Sequence, residues 1–76
     1  MTVRLFALLQ KHLPEGSRGK ATVEVPEGAT AGDVLSALGV PRHSVHLVMR
    51  DGEHVDWDAP VSSGDALTVF PPVAGG

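Results

Sequence analysis

Cysteine is absent from this 76-residue chain, and several kinds of site are excluded with it. Without thiols the chain can form no disulfide, no thiolate metal site and no cysteine nucleophile, which fits a reducing compartment. Basic residues are also few, since six Lys and Arg stand against nine Asp and Glu and give a formal net charge of -3. That sign disfavours nucleic acid as a partner.

Long apolar runs are missing as well. No stretch approaches the roughly 18 residues of a membrane span, and the first residues lack the basic-then-apolar layout of a signal peptide. We therefore expect a soluble, cytoplasmic protein with no membrane partner. Apolar residues make up 42% of the chain and charged residues 20%, close to globular averages, so we expect one small domain that folds alone.

Alternating apolar and polar residues predict several half-buried strands. The pattern covers residues 1–7, 21–25, 45–50 and 66–70. Asp51-Gly52 is a favoured two-residue hairpin turn, so the third strand should return through residues 53–55. Residues 8–13 break the first alternation and predict a short helical turn. We expect the first and last strands side by side at the sheet centre, because this leaves the hairpins at the edges.

The clearest helix signal spans residues 30–38. Thr30 can cap the first turn, and Asp33 stands at the third helical position, as in a capping box. Apolar residues then recur at helical spacing, and Gly39 with Pro41 provides the stop. The stripe consists of Ala31, Val34, Leu35 and Leu38.

The order of these elements predicts an α+β fold, a mixed sheet of four to five strands with one main helix across one face. Pro71 and Pro72 should end the last strand, because proline donates no ladder hydrogen bond. The domain is therefore predicted to cover residues 1–71. Residues 72–76 are predicted to form a flexible C-terminal tail.

The tail is the most informative segment for function. Two prolines favour an extended exit that advances ~3.1 Å per residue, and the side chains then shrink from Val73 through Ala74 to Gly75 and Gly76. Such a shape suits insertion into a narrow cleft, where a carboxylate with no nearby Cβ can be approached closely. Gly76 is thus predicted to carry the reactive group and Gly75 to keep the approach open. A frayed end without function is the alternative.

Three segments together resemble the MoaD/ThiS family of ubiquitin-like sulfur carriers. They are LFALL after the first strand, VPEGATAGDVL at the helix, and DGEHVDWDAPVSSGDALTVFPPVAGG at the end. The PPVAGG ending is more similar to the small subunit of molybdopterin synthase than to the thiamine carrier. The resemblance implies a β-grasp, ubiquitin-like fold.

The resemblance also implies a chemistry. An E1-like enzyme of the MoeB/ThiF type would adenylate the Gly76 carboxylate, using ATP and magnesium, and a sulfur donor would convert it to a thiocarboxylate. The large catalytic subunit of molybdopterin synthase would then receive the tail, and the sulfur would enter molybdenum cofactor biosynthesis. The chain would be a carrier without catalytic activity of its own and without a permanently bound cofactor.

Three alternatives remain open at this point. The sulfur could serve thiamine, cysteine or tRNA thiolation, since such carriers have the same type of tail. The chain could instead be a ubiquitin-like modifier that is joined through Gly76 to target lysines. It could also be a passive interaction domain that ends in two glycines.

Alternation also predicts a docking surface for a protein partner. If Val3 and Leu5 face the helix, then Phe6 points to the opposite, uncovered face of the sheet. The same argument places Phe70 there, with Val48 beside it and a rim of Arg4, Arg50 and His46. An apolar patch with a polar rim is typical of an interaction site.

The remaining motifs predict no catalytic site. The four histidines (His12, His43, His46 and His54) fall in separate segments and predict no metal site. The loop Gly16-Ser17-Arg18-Gly19-Lys20 lacks the spacing of a phosphate-binding loop and is interpreted as a basic turn. Trp57 either packs under the hairpin or belongs to a surface specific to this branch of the family.

Overall fold

The computed structural model describes residues 1–13 and 16–72, and these form five strands and one α-helix. The strands are β1 (Thr2–Leu5), β2 (Lys20–Thr22), β3 (Leu47–Arg50), β4 (Glu53–Val55) and β5 (Ala66–Phe70). The α-helix, α1, covers Ala31–Ala37, and two 3-10 helices cover Ala7–His12 and Arg42–Ser44. Four residues of the predicted tail lie outside the described residues, namely Val73, Ala74, Gly75 and the predicted reactive residue Gly76.

The strands form one mixed sheet in the order β2-β1-β5-β3-β4. β1 and β5 lie side by side and parallel, whereas every other neighbouring pair is antiparallel. The predicted central pairing of the first and last strands is therefore confirmed. With α1 packed on one face of this sheet, the molecule has the α+β architecture of a β-grasp, ubiquitin-like fold, as predicted.

The hydrophobic core lies between one face of the sheet and α1. Val3, Leu67 and Val69 are fully buried on the two central strands, and Leu5 is 1% exposed. From the helix, Ala31, Val34 and Leu35 are buried against them, while Leu38 is half-buried. The alternation of β1 and β5 and the helical stripe are thus confirmed.

The opposite face of the sheet is crossed by two rows of side chains that matter for function. Directly opposite residues share a face, so the ladder register places Lys20, Arg4, Thr68, Met49 and His54 in one row across all five strands. Phe70 and Leu47 form part of the next row, towards the carboxyl end of β5. We call this uncovered surface the open face.

The hairpin between β3 and β4 corrects one sequence prediction. Asp51 and Gly52 both have positive φ, 50° and 87°, as a two-residue type I′ turn requires. The turn pairs Val48 with Val55, and β5 pairs Val48 with Val69. Val69 faces the core, so Val48 must face it too, and it is only 4% exposed. Its predicted place on the open face is wrong.

Three strands are shorter than their alternation predicted, and one of them, β3, begins at Leu47 rather than at residue 45. β1 ends at Leu5 rather than at residue 7, because Ala7 adopts a positive φ of 52° and begins the first 3-10 helix. β2 covers Lys20–Thr22 rather than residues 21–25. Val23 still exchanges two backbone hydrogen bonds with Met1, of 2.8 and 3.0 Å, but the chain then leaves the sheet edge.

Helix α1 begins at a complete capping box. The Thr30 hydroxyl accepts a hydrogen bond from the Asp33 backbone N–H at 3.1 Å, and the Asp33 carboxylate accepts one from the Thr30 N–H at 3.0 Å. Two more first-turn N–H groups donate to loop carbonyls, Ala31 to Ala59 at 2.8 Å and Gly32 to Trp57 at 2.7 Å. All the donors that a helix start leaves free are therefore satisfied in this turn.

Replacing the capping threonine should destabilise the domain measurably. We expect Thr30→Ala to lower the free energy of unfolding by about 1 kcal/mol, because the Asp33 N–H loses its partner. Ser36→Ala is the matched control, since Ser36 is exposed on the same helix and makes no capping contact. Urea unfolding of both variants would measure the difference. Equal midpoints for the two would contradict the assigned role of the cap.

Among residues 1–13 and 16–72, no helix combines the length and the apolar character that a bilayer crossing requires.

Candidate functional site

The chain leaves β5 beside an exposed apolar groove. Residues 6–8, His46 and residues 70–72 line it, and its volume is ≈ 520 Å³. Phe70 is the last residue of β5, so Pro71 and Pro72 carry the chain directly from the centre of the sheet along this groove. We call this feature the apolar groove. It lies beside the last residues of the chain that the structure describes.

Two stacked aromatic rings form the floor of the apolar groove. The ring centroids of Phe6 and Phe70 are 4.8 Å apart and the planes differ by 8°. The pairing is fixed by the backbone, because the Phe6 N–H donates to the Val69 carbonyl at 3.2 Å. Phe6 is 39% exposed and Phe70 is half-buried. The structure therefore brings both predicted aromatics together on the open face.

Leu8 is a site residue that the sequence analysis missed. It is 76% exposed, the most exposed large apolar side chain among the described residues. Leu9 of the same 3-10 helix and Leu13, which follows the helix, are buried. Successive residues of a helix point in different directions, so Leu8 cannot face the core together with Leu9. That spacing was a usable signal for an exposed leucine.

The predicted rim of the docking surface is only partly correct. Arg4 is exposed on the open face, and His46 lines the apolar groove. Arg50 does not belong to the rim, because it pairs with the core residue Leu67 and its guanidinium donates to the Pro60 carbonyl on the helix side. Val48, buried as described above, is also excluded from this surface, and half-buried Leu47 lies opposite Phe70 in its place.

A second cavity shares Leu8, Pro71 and Pro72 with the apolar groove. Its volume is ≈ 290 Å³, and His12 and His43 are among its lining residues, with Lys11 and Ser44. The Nε2 atom of His12 is buried and has no hydrogen-bond partner among the described residues. Buried polar atoms without a partner are rare in folded proteins. The root of the tail is thus flanked by an apolar groove and by a cavity that contains polar groups.

The histidines lie in two pairs rather than in one cluster. His12 and His43 share the cavity beside the tail root, and His46 and His54 line a third cavity with Asp56. Within residues 1–13 and 16–72, no three His, Asp or Glu side chains are grouped closely enough to hold a metal ion. The sequence prediction that the chain binds no metal stays a prediction.

Trp57 contacts the first turn of α1. A Cβ built on Gly32 would meet three atoms of the indole ring, Nε1, Cδ1 and, at 2.6 Å, Cε2. Trp57 is half-buried and packs against the core. Of the two interpretations, packing is therefore observed, although the partner is the helix start rather than the hairpin.

The structure brings part of the predicted site together. Phe6, Phe70, Pro71 and Pro72 converge at the apolar groove, with Arg4 exposed on the same face. The reactive residue Gly76 and its neighbours 73–75 lie outside the described residues, so their assigned roles remain predictions.

Comparison with known proteins assigns the family. The ThiS family model matches residues 3–76 of the chain. Protein RnfH of Halorhodospira halophila is 38% identical over 64 residues, which cover 76% of this chain. The match spans 66% of that relative, just under two thirds of its length.

Solved structures show the same fold. The crystal structure of SAMP1 from Haloferax volcanii is 31% identical and superposes with a TM-score of 0.74, covering 100% of this chain and 98% of that one. A putative molybdopterin converting factor subunit 1 from Pyrococcus furiosus is 23% identical, with a TM-score of 0.68 over 95% of each chain. At that identity the second likeness supports the fold alone. The family match over residues 3–76 and the β-grasp architecture together establish that the chain belongs to the ThiS family of MoaD/ThiS-type ubiquitin-like sulfur carriers.

Proposed function

We propose that the chain is a sulfur carrier whose Gly76 carboxylate is adenylated by an E1-like enzyme and then converted to a thiocarboxylate. The observation that carries this proposal is the extent of the family match, which runs to residue 76 and so includes the terminal Gly-Gly. The fold adds that β5 delivers Pro71 and Pro72 to the rim of an exposed apolar groove. Together, the tail and the groove fit a protein that binds an enzyme and presents its C-terminal residue to that enzyme.

The chemistry assigned to Gly76 follows from the reactivity of a carboxylate. A carboxylate oxygen is a poor leaving group, so direct replacement by sulfur is slow. Attack of that oxygen on the α-phosphorus of ATP releases pyrophosphate and forms an acyl adenylate, from which AMP leaves readily. Sulfide from the sulfur donor then adds to the carbonyl carbon, loses its proton and expels AMP. The resulting thiocarboxylate is a soft nucleophile at neutral pH, suited to passing its sulfur to an acceptor.

The proposed acceptor pathway is molybdopterin synthesis, with the large synthase subunit as the second partner. The support is the PPVAGG ending, which resembles the small subunit of that synthase. Thiamine, cysteine and tRNA thiolation are the alternatives within the same chemistry.

The direct test is the intact mass of the protein after incubation with ATP, magnesium, the E1-like enzyme of the same organism and a sulfur source. Alkylation with iodoacetamide is needed, because exchange of oxygen for sulfur is nearly isobaric with methionine oxidation. The chain has no cysteine, so a single ready alkylation that maps to Gly76 would identify the thiocarboxylate. A Gly76 that active enzymes leave unmodified would contradict the proposal.

The apolar groove is proposed as the docking surface for the activating enzyme. We expect Phe6→Ala and Phe70→Ala each to weaken binding by about tenfold or more, because interface aromatics in apolar pockets are common hot spots. The free energy of unfolding should also fall, by about 0.5–1.5 kcal/mol for the lost ring stacking and by a further amount for the apolar area that each ring buries. Titration calorimetry and urea unfolding would separate the two effects.

Met49→Ala provides the matched control for these variants. Met49 is a half-buried apolar residue on the same open face, but it is not among the residues that line the apolar groove. Its truncation should leave affinity within about twofold of the wild type, as expected outside a hot spot. If both phenylalanine variants bound the activating enzyme with wild-type affinity, the apolar groove would not be the docking surface.

A second candidate function is conjugation to proteins. It is favoured by the likeness to SAMP1, whose solved structures include one described as small archaeal modifier protein 1 at 29% identity and a TM-score of 0.74. A modifier uses the same adenylation step but forms an isopeptide bond to lysine. Higher-mass adducts in cell extracts that contain Gly76 joined to lysine would support this function, and their absence beside an alkylated Gly76 would support the carrier.

A further inference from the structure

The open face carries a basic concavity beside the apolar groove. It has a volume of ≈ 360 Å³, and its charged lining residues are Arg4, Arg18 and Lys20. Gln10 and Ser17 add two neutral polar groups. No acidic residue lines it among those the structure describes. Half of the six Lys and Arg of an acidic chain are therefore gathered in one place. We call this feature the basic pocket.

Two of these cations are held close together by the sheet. Arg4 and Lys20 are directly opposite each other in the β1–β2 ladder, and both are exposed. Like charges at directly opposite positions destabilise a sheet. Arg4 and Lys20 repel each other in the free protein, but both attract an anionic group that lies between or above them.

The third cation is placed by a constrained turn. The Leu5 N–H donates to the Gly19 carbonyl at 2.8 Å, and a Cβ on Gly19 would lie 3.0 Å from the Leu5 carbonyl oxygen and 2.7 Å from the Gln10 side chain. Arg18, the residue before Gly19, has a φ of 59°, a conformation that favours glycine or asparagine. Strained residues of this kind concentrate at functional sites.

The basic pocket is continuous with the apolar groove. Phe6 lines both of them, and its ring is stacked on Phe70. A partner that covers Phe6 therefore reaches the three cations as well. Since adenylation precedes both sulfur transfer and conjugation, the partner common to all proposed routes is the activating enzyme.

We infer that the basic pocket receives an acidic segment of the activating enzyme, whose carboxylates pair with Arg4, Arg18 and Lys20 while its apolar residues cover Phe6. This inference rests on the proposed function and names the chemistry of the partner surface. The charge contacts accelerate encounter and fix orientation, whereas the apolar groove holds the complex together. The loop that the sequence identified only as a basic turn thus belongs to the recognition surface.

The test measures the KM for this protein in ATP–pyrophosphate exchange catalysed by the E1-like enzyme of the same organism. Lys20→Glu should raise KM about tenfold at low salt with kcat unchanged, because rim charges act mainly on association. The difference should shrink above ~0.1 M salt, where the Debye length falls to about 10 Å. Arg42→Glu is the matched control, since it makes the same charge change at an exposed residue outside the basic pocket.

A second variant separates recognition from folding. Arg18→Gly removes one cation but relieves the positive φ, so the melting temperature should stay the same or rise while KM rises about threefold. If the loop had only a structural role, KM would rise only when the melting temperature fell, and an Arg18→Gly protein of undiminished stability would keep the wild-type KM.

Each remaining outcome has one meaning. If the wild-type protein is never adenylated, the proposed function fails. If it is adenylated but Lys20→Glu and Arg42→Glu have equal KM values, only the inference fails. Titration with inorganic phosphate, followed by NMR, tests a small oxyanion as the occupant. Saturable shifts at Arg18 and Lys20 with a Kd tighter than about 1 mM would overturn the protein-docking assignment, and flat signals would support it.

Discussion

Removal of Gly75 and Gly76 is expected to abolish adenylation and sulfur loading while the domain stays folded. The truncated chain would end at Ala74, where a Cβ beside the carboxylate would hinder the approach of the nucleotide, and it would be two residues shorter than the chain that ends at Gly76. A misplacement of about 1 Å can cost ~100-fold in rate, so a displacement of two residues should lower the exchange rate at least 1,000-fold. ATP–pyrophosphate exchange and intact mass would measure the loss.

The fold provides the control for this truncation. β5 ends at Phe70, so the deletion removes no residue of the sheet. The free energy of unfolding and the affinity for the activating enzyme should therefore stay close to wild type, because the apolar groove and the basic pocket are retained. If the truncated chain were still adenylated at the wild-type rate, Gly76 could not carry the reactive group and the carrier proposal would be wrong.

Gly32→Ala is expected to have the second large effect, and it should act on stability. Alanine normally stabilises a helix by about 1 kcal/mol relative to glycine. At this position the new Cβ would overlap the indole of Trp57, and the backbone there is tied by the 2.7 Å hydrogen bond from the Gly32 N–H to the Trp57 carbonyl. Overpacking of this kind typically costs about 1–3 kcal/mol. A cost at the upper end of this range, less about 1 kcal/mol of helix propensity, gives a net loss of about 2 kcal/mol in urea unfolding.

A change of sign in a second background identifies the cause. In Trp57→Ala the indole is absent, so Gly32→Ala should become stabilising by about 0.5–1 kcal/mol through helix propensity alone. The four proteins form a double-mutant cycle with a coupling energy of about 3 kcal/mol. If Gly32→Ala destabilised both backgrounds equally, the contact with Trp57 would not be the reason that glycine occupies this position.

The structural features that were predicted correctly are mostly those whose signals lie within a short segment of the sequence. The Thr30 and Asp33 capping box, the helical stripe and the Asp51-Gly52 turn each depend on neighbouring residues, and the structure confirms all three. The central pairing of the first and last strands was also predicted, although it rests on a topological argument rather than on alternation.

The errors arose where a choice depended on contacts distant in sequence. Alternation over residues 45–50 is compatible with either face of the sheet, and the pairing of Val48 with Val69 decides between them. A local clue existed, since the Asp51-Gly52 turn places Met49 opposite the exposed His54 and so on the outer face. The basic pocket could not be predicted in this way, because Arg4 meets Arg18 and Lys20 only through the β1–β2 pairing.

Because the surface around Phe6 and Phe70 depends on the parallel pairing of β1 with β5, it forms only in the folded protein. Phe6 follows the first strand and Phe70 ends the last, so their stack exists only after the most distant segments of the described chain have met. Such long-range pairings form late and slowly compared with local ones. A partially folded chain retains its C-terminal residues but lacks the surface beside them. An activating enzyme that requires the stack of Phe6 and Phe70 would therefore adenylate only correctly folded protein.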